Sequence, residues 1–206
     1  DASAWSDHIA SLLAAASEIS QTVGRDGSSV LIHCSDGWDR TSQLTSLTLL
    51  LLDPHYRTLK GLQTLVTREW MLFGHKFGTR TGHGQHKPKD KERSPIFLQF
   101  MDALWQVMAQ HPTSFQFNPD LCRFLAHHSL SCRYGDFLFD CMKDRLENGV
   151  FHHTRSVWDD VNRNESRFLN PGYAPKADIL MISTTKSAVR LWLDMYCKLV
   201  QFDSIF

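Results

Sequence analysis

The sequence predicts an α/β fold in which helices dominate and one strand delivers a reactive loop. Three observations carry this expectation. Apolar residues recur at three- and four-residue spacing through most of the 206 residues, the mark of helices with one buried face. The short run Val30-Leu31-Ile32 is apolar without alternation, as in a strand covered on both faces. Directly behind it come a polar, glycine-containing stretch and then a leucine-rich segment, the order strand, loop, helix.

Trp5, Ile9, Leu12, Leu13, Ala16, Ile19 and Val23 predict an amphipathic helix over residues 3 to 23, stopped at Gly24. Turn residues 25 to 28 then lead into the strand. Thr41 to Leu52 carries leucines on nearly all sides, which predicts a helix buried in the core and ended by Asp53-Pro54. Leu59, Leu62, Leu65, Val66, Trp70 and Phe73 predict another helix, whereas residues 74 to 93 read as a long loop. Ser94 and Pro95 have the form of an N-cap and first helical residue for the run Ile96 to Met108, closed by His111-Pro112. Asn118-Pro119-Asp120 opens a helix with Leu121, Phe124, Leu125 and His128 on one face, and a last helix is expected over Lys186 to Val200. A single strand cannot form a sheet, so its partners are expected upstream of Asp1.

Composition bounds the function. With 42% hydrophobic and 21% charged residues the chain is globular rather than disordered. Equal numbers of acidic and basic side chains, 22 each, argue against a general nucleic-acid binder. The longest apolar run, Leu44 to Leu52, falls short of the ~18–20 residues that span a bilayer. The opening residues carry neither the basic nor the apolar region of a secretory signal, and a first residue other than Met suggests a piece of something longer. Five cysteines without a C-x-x-C pair indicate neither a disulfide framework nor a zinc ribbon, and a reducing compartment fits better. Cys122, Cys132 and Cys141 are expected as buried thiols.

The chemistry lies in His33-Cys34-Ser35-Asp36-Gly37-Trp38-Asp39-Arg40-Thr41. A bare C-x5-R match arises by chance often enough, with ~0.3 expected here, to be weak alone. Its placement strengthens it, because the cysteine ends a strand, the arginine begins a helix and a glycine lies between. Backbone N–H groups of such a loop and the positive helix end converge on a site for a phosphate dianion. The same field lowers a thiol's pKa, making Cys34 a competent nucleophile. Arg40 offers a planar fork of donors to phosphoryl oxygens, and Thr41 a hydroxyl to the thiolate. Asp39 is the nearest acid for the leaving alcohol, and Asp36 a second carboxylate for the leaving group or for water. Trp38 would pack on a substrate ring or wedge the loop against the core, and His33 would order the loop. The pairs His127-His128 and His152-His153 lack metal-ligand spacing and read as core or surface.

This nine-residue string resembles the active-site signature of the myotubularin family of phosphoinositide 3-phosphatases. The resemblance continues through Leu51-Leu52-Asp53-Pro54-His55-Tyr56-Arg57-Thr58, Phe73-Gly74-His75-Lys76-Phe77, Gly82-His83-Gly84 and Arg93-Ser94-Pro95-Ile96-Phe97-Leu98-Gln99-Phe100. It covers residues 1 to about 172, including Ser131-Cys132 and Leu169-Asn170-Pro171, and only loosely the last thirty. It implies a cysteine-based protein tyrosine phosphatase-like fold, of which residues 1–206 form the C-terminal part. Within that part it implies a phosphate loop at 33–41, a basic substrate loop at 74–93 and a helical region at 94–206. The implied activity is hydrolysis of the 3-phosphate of phosphatidylinositol 3-phosphate and phosphatidylinositol 3,5-bisphosphate through a phosphocysteine. No metal or other cofactor is implied. Cys34 would be the nucleophile, Arg40 the ligand of the scissile phosphate and Asp39 the favoured acid, with Ser35, Asp36, Gly37, Trp38 and Thr41 completing the substrate loop.

Residues 68 to 93 hold a local excess of four positive charges that the neutral total hides. Lys87, Lys89 and Lys91, interleaved with Asp90 and Glu92, read as a solvated face. In the family pattern the positions of Lys76 and Arg80 meet the 5-phosphate of the bisphosphorylated lipid. The expected partner is therefore a phosphoinositide head group at a membrane surface, with cytoplasmic, peripheral endosomal localisation. Oligomers with family members would form through regions outside this chain. Two other readings stand beside this one: a dual-specificity protein phosphatase, and a non-catalytic phosphoinositide-binding or scaffolding module.

Overall fold

The computed structural model describes residues 2–83 and 90–202. Helix α1 (Ala2–Gly24) turns Ile9, Leu13 and Ala16 inward, all fully buried, and packs against α2 and α5. Residues 27 to 34 have no regular structure, and the expected strand is absent: Val30 is 38% and Leu31 85% exposed. The reason is physical. A strand is held by ladder bonds to a neighbour, and among the described residues the only bridges are isolated, Phe117 with Leu169 and Tyr134 with Arg155.

Helix α2 (Arg40–Leu52) is buried on nearly every side, as its leucines require. Leu47, Leu50 and Leu51 are inaccessible, and the buried Gln43 and Ser46 side chains bond to neighbouring elements. The Gln43 amide donates to the Ile96 carbonyl at 2.9 Å and to Gln99 Oε1 at 3.0 Å. The Ser46 hydroxyl accepts from Trp70 Nε1 at 3.0 Å. After a tight turn at Pro54–Arg57, α3 (Leu59–Val66) starts at Thr58, whose hydroxyl accepts from the Gly61 N–H at 3.0 Å. Gly61 has no substitute, because a Cβ there would sit 1.8 Å from the His55 carbonyl oxygen.

The helical path continues past α3 as a wider π turn, Thr67–Leu72, rather than as the single regular helix expected through Phe73. The turn drives Trp70 inside and leaves Leu72 and Phe73 exposed. The expected long loop contains a short helix, α4 (Phe77–Thr81). Buried Phe77 and two bonds from Thr79 to the Asp140 carboxylate, 2.8 and 2.5 Å, hold it in place. Lys87 and Lys89 lie outside the described residues.

Helix α5 (Ile96–Gln110) begins one residue later than its sequence suggests. Pro95 takes the cap position, while the Ser94 N–H is spent on the Arg80 carbonyl at 3.1 Å. Helix α6 (Pro119–His128) starts as expected, with the Asn118 side chain capping the Asp120 N–H at 3.0 Å. Four short helices follow: α7 (Met142–Glu147), α8 (Val150–His153), α9 (Val157–Arg163) and α10 (Glu165–Phe168). The last predicted helix divides into a turn at Lys186–Ala188 and α11 (Leu193–Phe202). Between them Trp192 stacks on Trp105 at 5.3 Å. Of the three cysteines expected inside, Cys122 is buried and Cys141 half-buried. Cys132 is exposed, with its sulfur 3.0 Å from His83 Nδ1.

An aromatic cluster sits beneath the reactive loop. Trp70 stacks on Phe100 at 5.0 Å and meets Phe97 and His75 edge-on, each at 4.9 Å, while Phe77 meets His75 at 4.7 Å. Trp70→Ala would empty the centre of this cluster and lower unfolding stability by about 3–5 kcal/mol in denaturant titrations. Trp70→Phe keeps a ring but removes the donor to Ser46, and the expected loss is nearer ~1 kcal/mol.

Candidate active site

The loop from Cys34 to Arg40 wraps around the cysteine sulfur. The Gly37 N–H donates to Cys34 Sγ at 3.1 Å and the Thr41 hydroxyl at 3.2 Å. Gly37 has φ +90, a conformation open to glycine and strained for other residues, and this turn aims its N–H at the sulfur. Burial raises the thiol's pKa, but the Thr41 hydroxyl and the N–H groups of Gly37, Thr41 and Asp36 outweigh it and bring the pKa down to about 7.

Asp39 precedes the first turn of α2, where an aspartate ordinarily accepts from the helix's own N–H groups. Here it makes no such cap bond. Its carboxylate turns away to two partners across the chain. Arg80 of α4 gives Asp39 Oδ2 both Nη2, at 2.6 Å, and Nε, at 3.0 Å, while its Nη1 donates to the Glu92 carbonyl at 2.7 Å. His75 Nδ1 stands 2.9 Å from the Trp38 carbonyl and 2.9 Å from Asp39 Oδ1. Both oxygens only accept, so Nδ1 carries the hydrogen. With that hydrogen aligned on the Trp38 carbonyl, Oδ1 is left without an aligned donor of its own. Burial favours the neutral acid, but the close approach of His75 and the hydrogen bonds and charge of Arg80 hold Asp39 below the usual carboxylate range.

The consequence for α2 is an open N-terminus. With the Asp39 side chain diverted, the first-turn donors are not claimed by a cap, and the Thr41 N–H is turned to the Cys34 sulfur. Arg40 is exposed at the first helical position and forms no hydrogen bond or ion pair with the described residues. The Lys76 ammonium lies over the Trp38 ring, 4.2 Å from its centroid. Ser35 and Asp36 are exposed, the Ser35 hydroxyl donating to Asp36 Oδ2 at 3.1 Å.

The structure thus gathers Cys34, Gly37 and Thr41 at the sulfur, and Trp38, Asp39, Lys76 and Arg80 beside it. Asp36 stands apart from His75 and Arg80. Sequence reasoning passed over His75, although it lies in a quoted motif; its signal was a lone histidine between Trp70 and Phe77, where a buried ring needs a polar partner. The pairing of Arg80 with Asp39 was not read either. A hollow of about 260 Å³ behind Arg80 is lined by His75, Arg93 and Ser94 among others. Another cavity, of about 490 Å³, lies between α6, α9 and α10 and shares no residue with the loop.

A cysteine loop at the head of a buried helix fits a phosphatase domain, and a comparison of sequences places the chain in that class. The family model described as "Myotubularin-like phosphatase domain" matches residues 1–146. The chain belongs to the myotubularin-like phosphatase family. It is 44% identical over 195 residues to "Myotubularin" of Rattus norvegicus, covering 94% of this chain and 32% of that protein. It is 41% identical over 201 residues to "Phosphatidylinositol-3,5-bisphosphate 3-phosphatase mtm-1" of Caenorhabditis elegans, covering 96% and 34%. It is also 41% identical over 193 residues to "Phosphatidylinositol-3,5-bisphosphate 3-phosphatase MTMR2" of Gallus gallus, covering 93% and 34%. The chain therefore spans about a third of the length of these curated relatives.

Alkylation tests the thiol directly. Iodoacetamide reacts with thiolate, so the labelling rate of the Cys34 peptide, followed by mass spectrometry, should rise as pH climbs through about 7. In Thr41→Val, which removes the hydroxyl donor, the midpoint should move up toward that of an ordinary thiol.

Proposed function

We propose that this chain supplies the catalytic loop of a phosphoinositide 3-phosphatase. Its substrates are phosphatidylinositol 3-phosphate and phosphatidylinositol 3,5-bisphosphate, the second part of the names of the nematode and chicken relatives. The observation that carries the reading is the sulfur of Cys34, ringed by the Gly37 N–H and the Thr41 hydroxyl at the open end of α2. In this reading the loop is a phosphate-binding loop of the protein tyrosine phosphatase kind. Residues 30–32 join a sheet contributed by the rest of such a domain.

The Cys34 thiolate attacks phosphorus in line with the inositol 3-oxygen. Loop N–H groups and the Arg40 guanidinium hold the equatorial oxygens as charge builds on them. An acid gives the leaving oxygen its proton, and Asp39 is the carboxyl built into the loop wall. Water then cleaves the cysteinyl phosphate, with the Thr41 hydroxyl stabilising the departing thiolate. Lys76 and Arg80 provide positive charge for a second phosphate. The lipid sets the place of work at a membrane surface, with cytoplasmic, peripheral association with endosomes, and oligomers with other family members belong to the same reading.

Phosphate release by the full-length protein tests this. Cys34→Ser should reduce turnover of both lipids to background while leaving lipid binding intact, and Arg40→Ala should cost about 10²–10³-fold. Substantial release from a phosphotyrosyl or phosphoseryl peptide, with none from the lipids, would assign a protein phosphatase instead.

A further inference from the structure

The roles of Asp39 and Arg80 conflict in the geometry described above. An acid must hold a proton before it can give one. Yet Asp39 Oδ2 receives two N–H groups from a guanidinium, the arrangement that most favours the ionised carboxylate. The pair is largely shielded, with side-chain exposures of 15% for Asp39 and 22% for Arg80, so solvent weakens it little. The Nε–Nη2 edge of Arg80, the one able to grip an anion through two parallel N–H groups, is taken by the carboxylate, and Nη1 gives a further N–H to the Glu92 carbonyl. In this state that edge can serve the carboxylate or a substrate phosphate, not both.

The surroundings show which part can move. The backbone of α4 is pinned by Thr79 to Asp140 and by the Ser94 N–H to the Arg80 carbonyl. Any change is therefore a swing of the Arg80 side chain. Lys76 lies one turn before Arg80, its carbonyl accepting the Arg80 N–H at 2.8 Å, and both residues flank the wall formed by Trp38 and Asp39. A phosphate arriving there finds one cation held only by an aromatic face and a second held by a single-charge carboxylate. A phosphate dianion outcompetes a carboxylate for a guanidinium, with more charge and more acceptor oxygens.

We propose, resting on the phosphoinositide phosphatase reading, that Arg80 is shared between Asp39 and the substrate's second phosphate. A 3,5-bisphosphorylated head group thereby frees the acid that a 3-monophosphorylated one leaves clamped. When Arg80 swings to the second phosphate, Asp39 keeps only the lateral contact with His75 and can take up a proton on a carboxyl oxygen. In the transfer step the S–P bond to Cys34 forms as the P–O bond to the inositol 3-oxygen breaks. The electron pair goes to that oxygen, which takes the proton from the Asp39 carboxyl. The products are cysteinyl phosphate, the free hydroxyl and the Asp39 carboxylate, to which Arg80 returns. Arg80 is then a specificity-determining residue that acts on rate as well as on binding.

The titratable and charged groups around Asp39 are His75 and Arg80 in contact, Cys34, Asp36 and Arg40 in its own loop and helix, and Lys76 across the Trp38 ring. Of the two groups in contact with Asp39, only Arg80 is drawn off by the second phosphate, so the pH dependence of the wild-type protein and of Arg80→Gln identifies it. The test is the single-turnover rate of cysteinyl phosphate formation against pH, for the full-length protein with short-chain versions of both lipids. The acid works protonated, so each rate falls as pH rises through the pKa of Asp39 in the complex. The falling limb for the bisphosphate should lie about one to three pH units above that for the monophosphate. In Arg80→Gln, checked for folding by its thermal melt, the monophosphate limb should move up and the separation should close.

Superimposed limbs for the two lipids in the wild-type protein would overturn the sharing of Arg80 while leaving the phosphatase reading intact. So would an Arg80→Gln enzyme altered only in its KM for the bisphosphate. Absence of turnover of either lipid by the wild-type protein would defeat the reading beneath it.

Discussion

The site depends on a carboxylate that declines its usual helix. An aspartate at the head of α2 would ordinarily satisfy the helix's first donors, closing the one end of a buried helix that can meet an anion. Asp39 is drawn off by His75 and Arg80 instead, and the donors stay available. Much of the surrounding architecture holds those two partners in place. His75 is gripped by the edges of Trp70 and Phe77, and Arg80 rides on a helix of five residues that is fastened through Thr79 to Asp140. A helix so short has little stability of its own, so its position comes from these anchors.

The same logic explains why α2 tolerates so much polarity inside the core. Ser46 and Gln43 are both fully buried, and each is tied to a neighbouring element, one to the π turn and the other to α5. Direction-dependent bonds fix the rotation of α2 about its axis, which apolar packing alone would specify loosely. That rotation sets where Thr41 and Arg40 face. The π turn contributes by bringing the Trp70 indole to Ser46 and its rings to the support of His75, so a single side chain steadies both the helix and the residue opposite its first turn.

The helices were legible wherever periodicity was strong and the partner surface lay within the chain, as for α1, α2, α5 and α6. Their boundaries were less so. Ser94 looked like a cap, but its backbone is tied to Arg80 of α4 and the cap falls on Pro95, a tertiary contact invisible in a local pattern. The strand at 30–32 was read from apolar character, and apolar character alone forms no ladder. The setting of Cys34 and Arg40 ahead of a leucine-rich helix was legible, and that helix does begin at Arg40. What the sequence withheld was the crossing of the loop by α4. Asp39 and Arg80 are 41 residues apart, and nothing in spacing or composition links a carboxylate in one motif to an arginine in another. His75 was hidden for a similar reason, since its role rests on a backbone carbonyl, which every residue possesses.

The placing of Lys76 over Trp38 has an optical consequence. An ammonium 4.2 Å from the centroid of an indole imposes a strong local field on its electronic transition. An anion that recruits Lys76 lifts that field, while the Trp38 carbonyl remains tethered to His75. Among the six tryptophans of the chain, Trp38 therefore doubles as an intrinsic dye at the rim of the site, its colour set by what the lysine is holding.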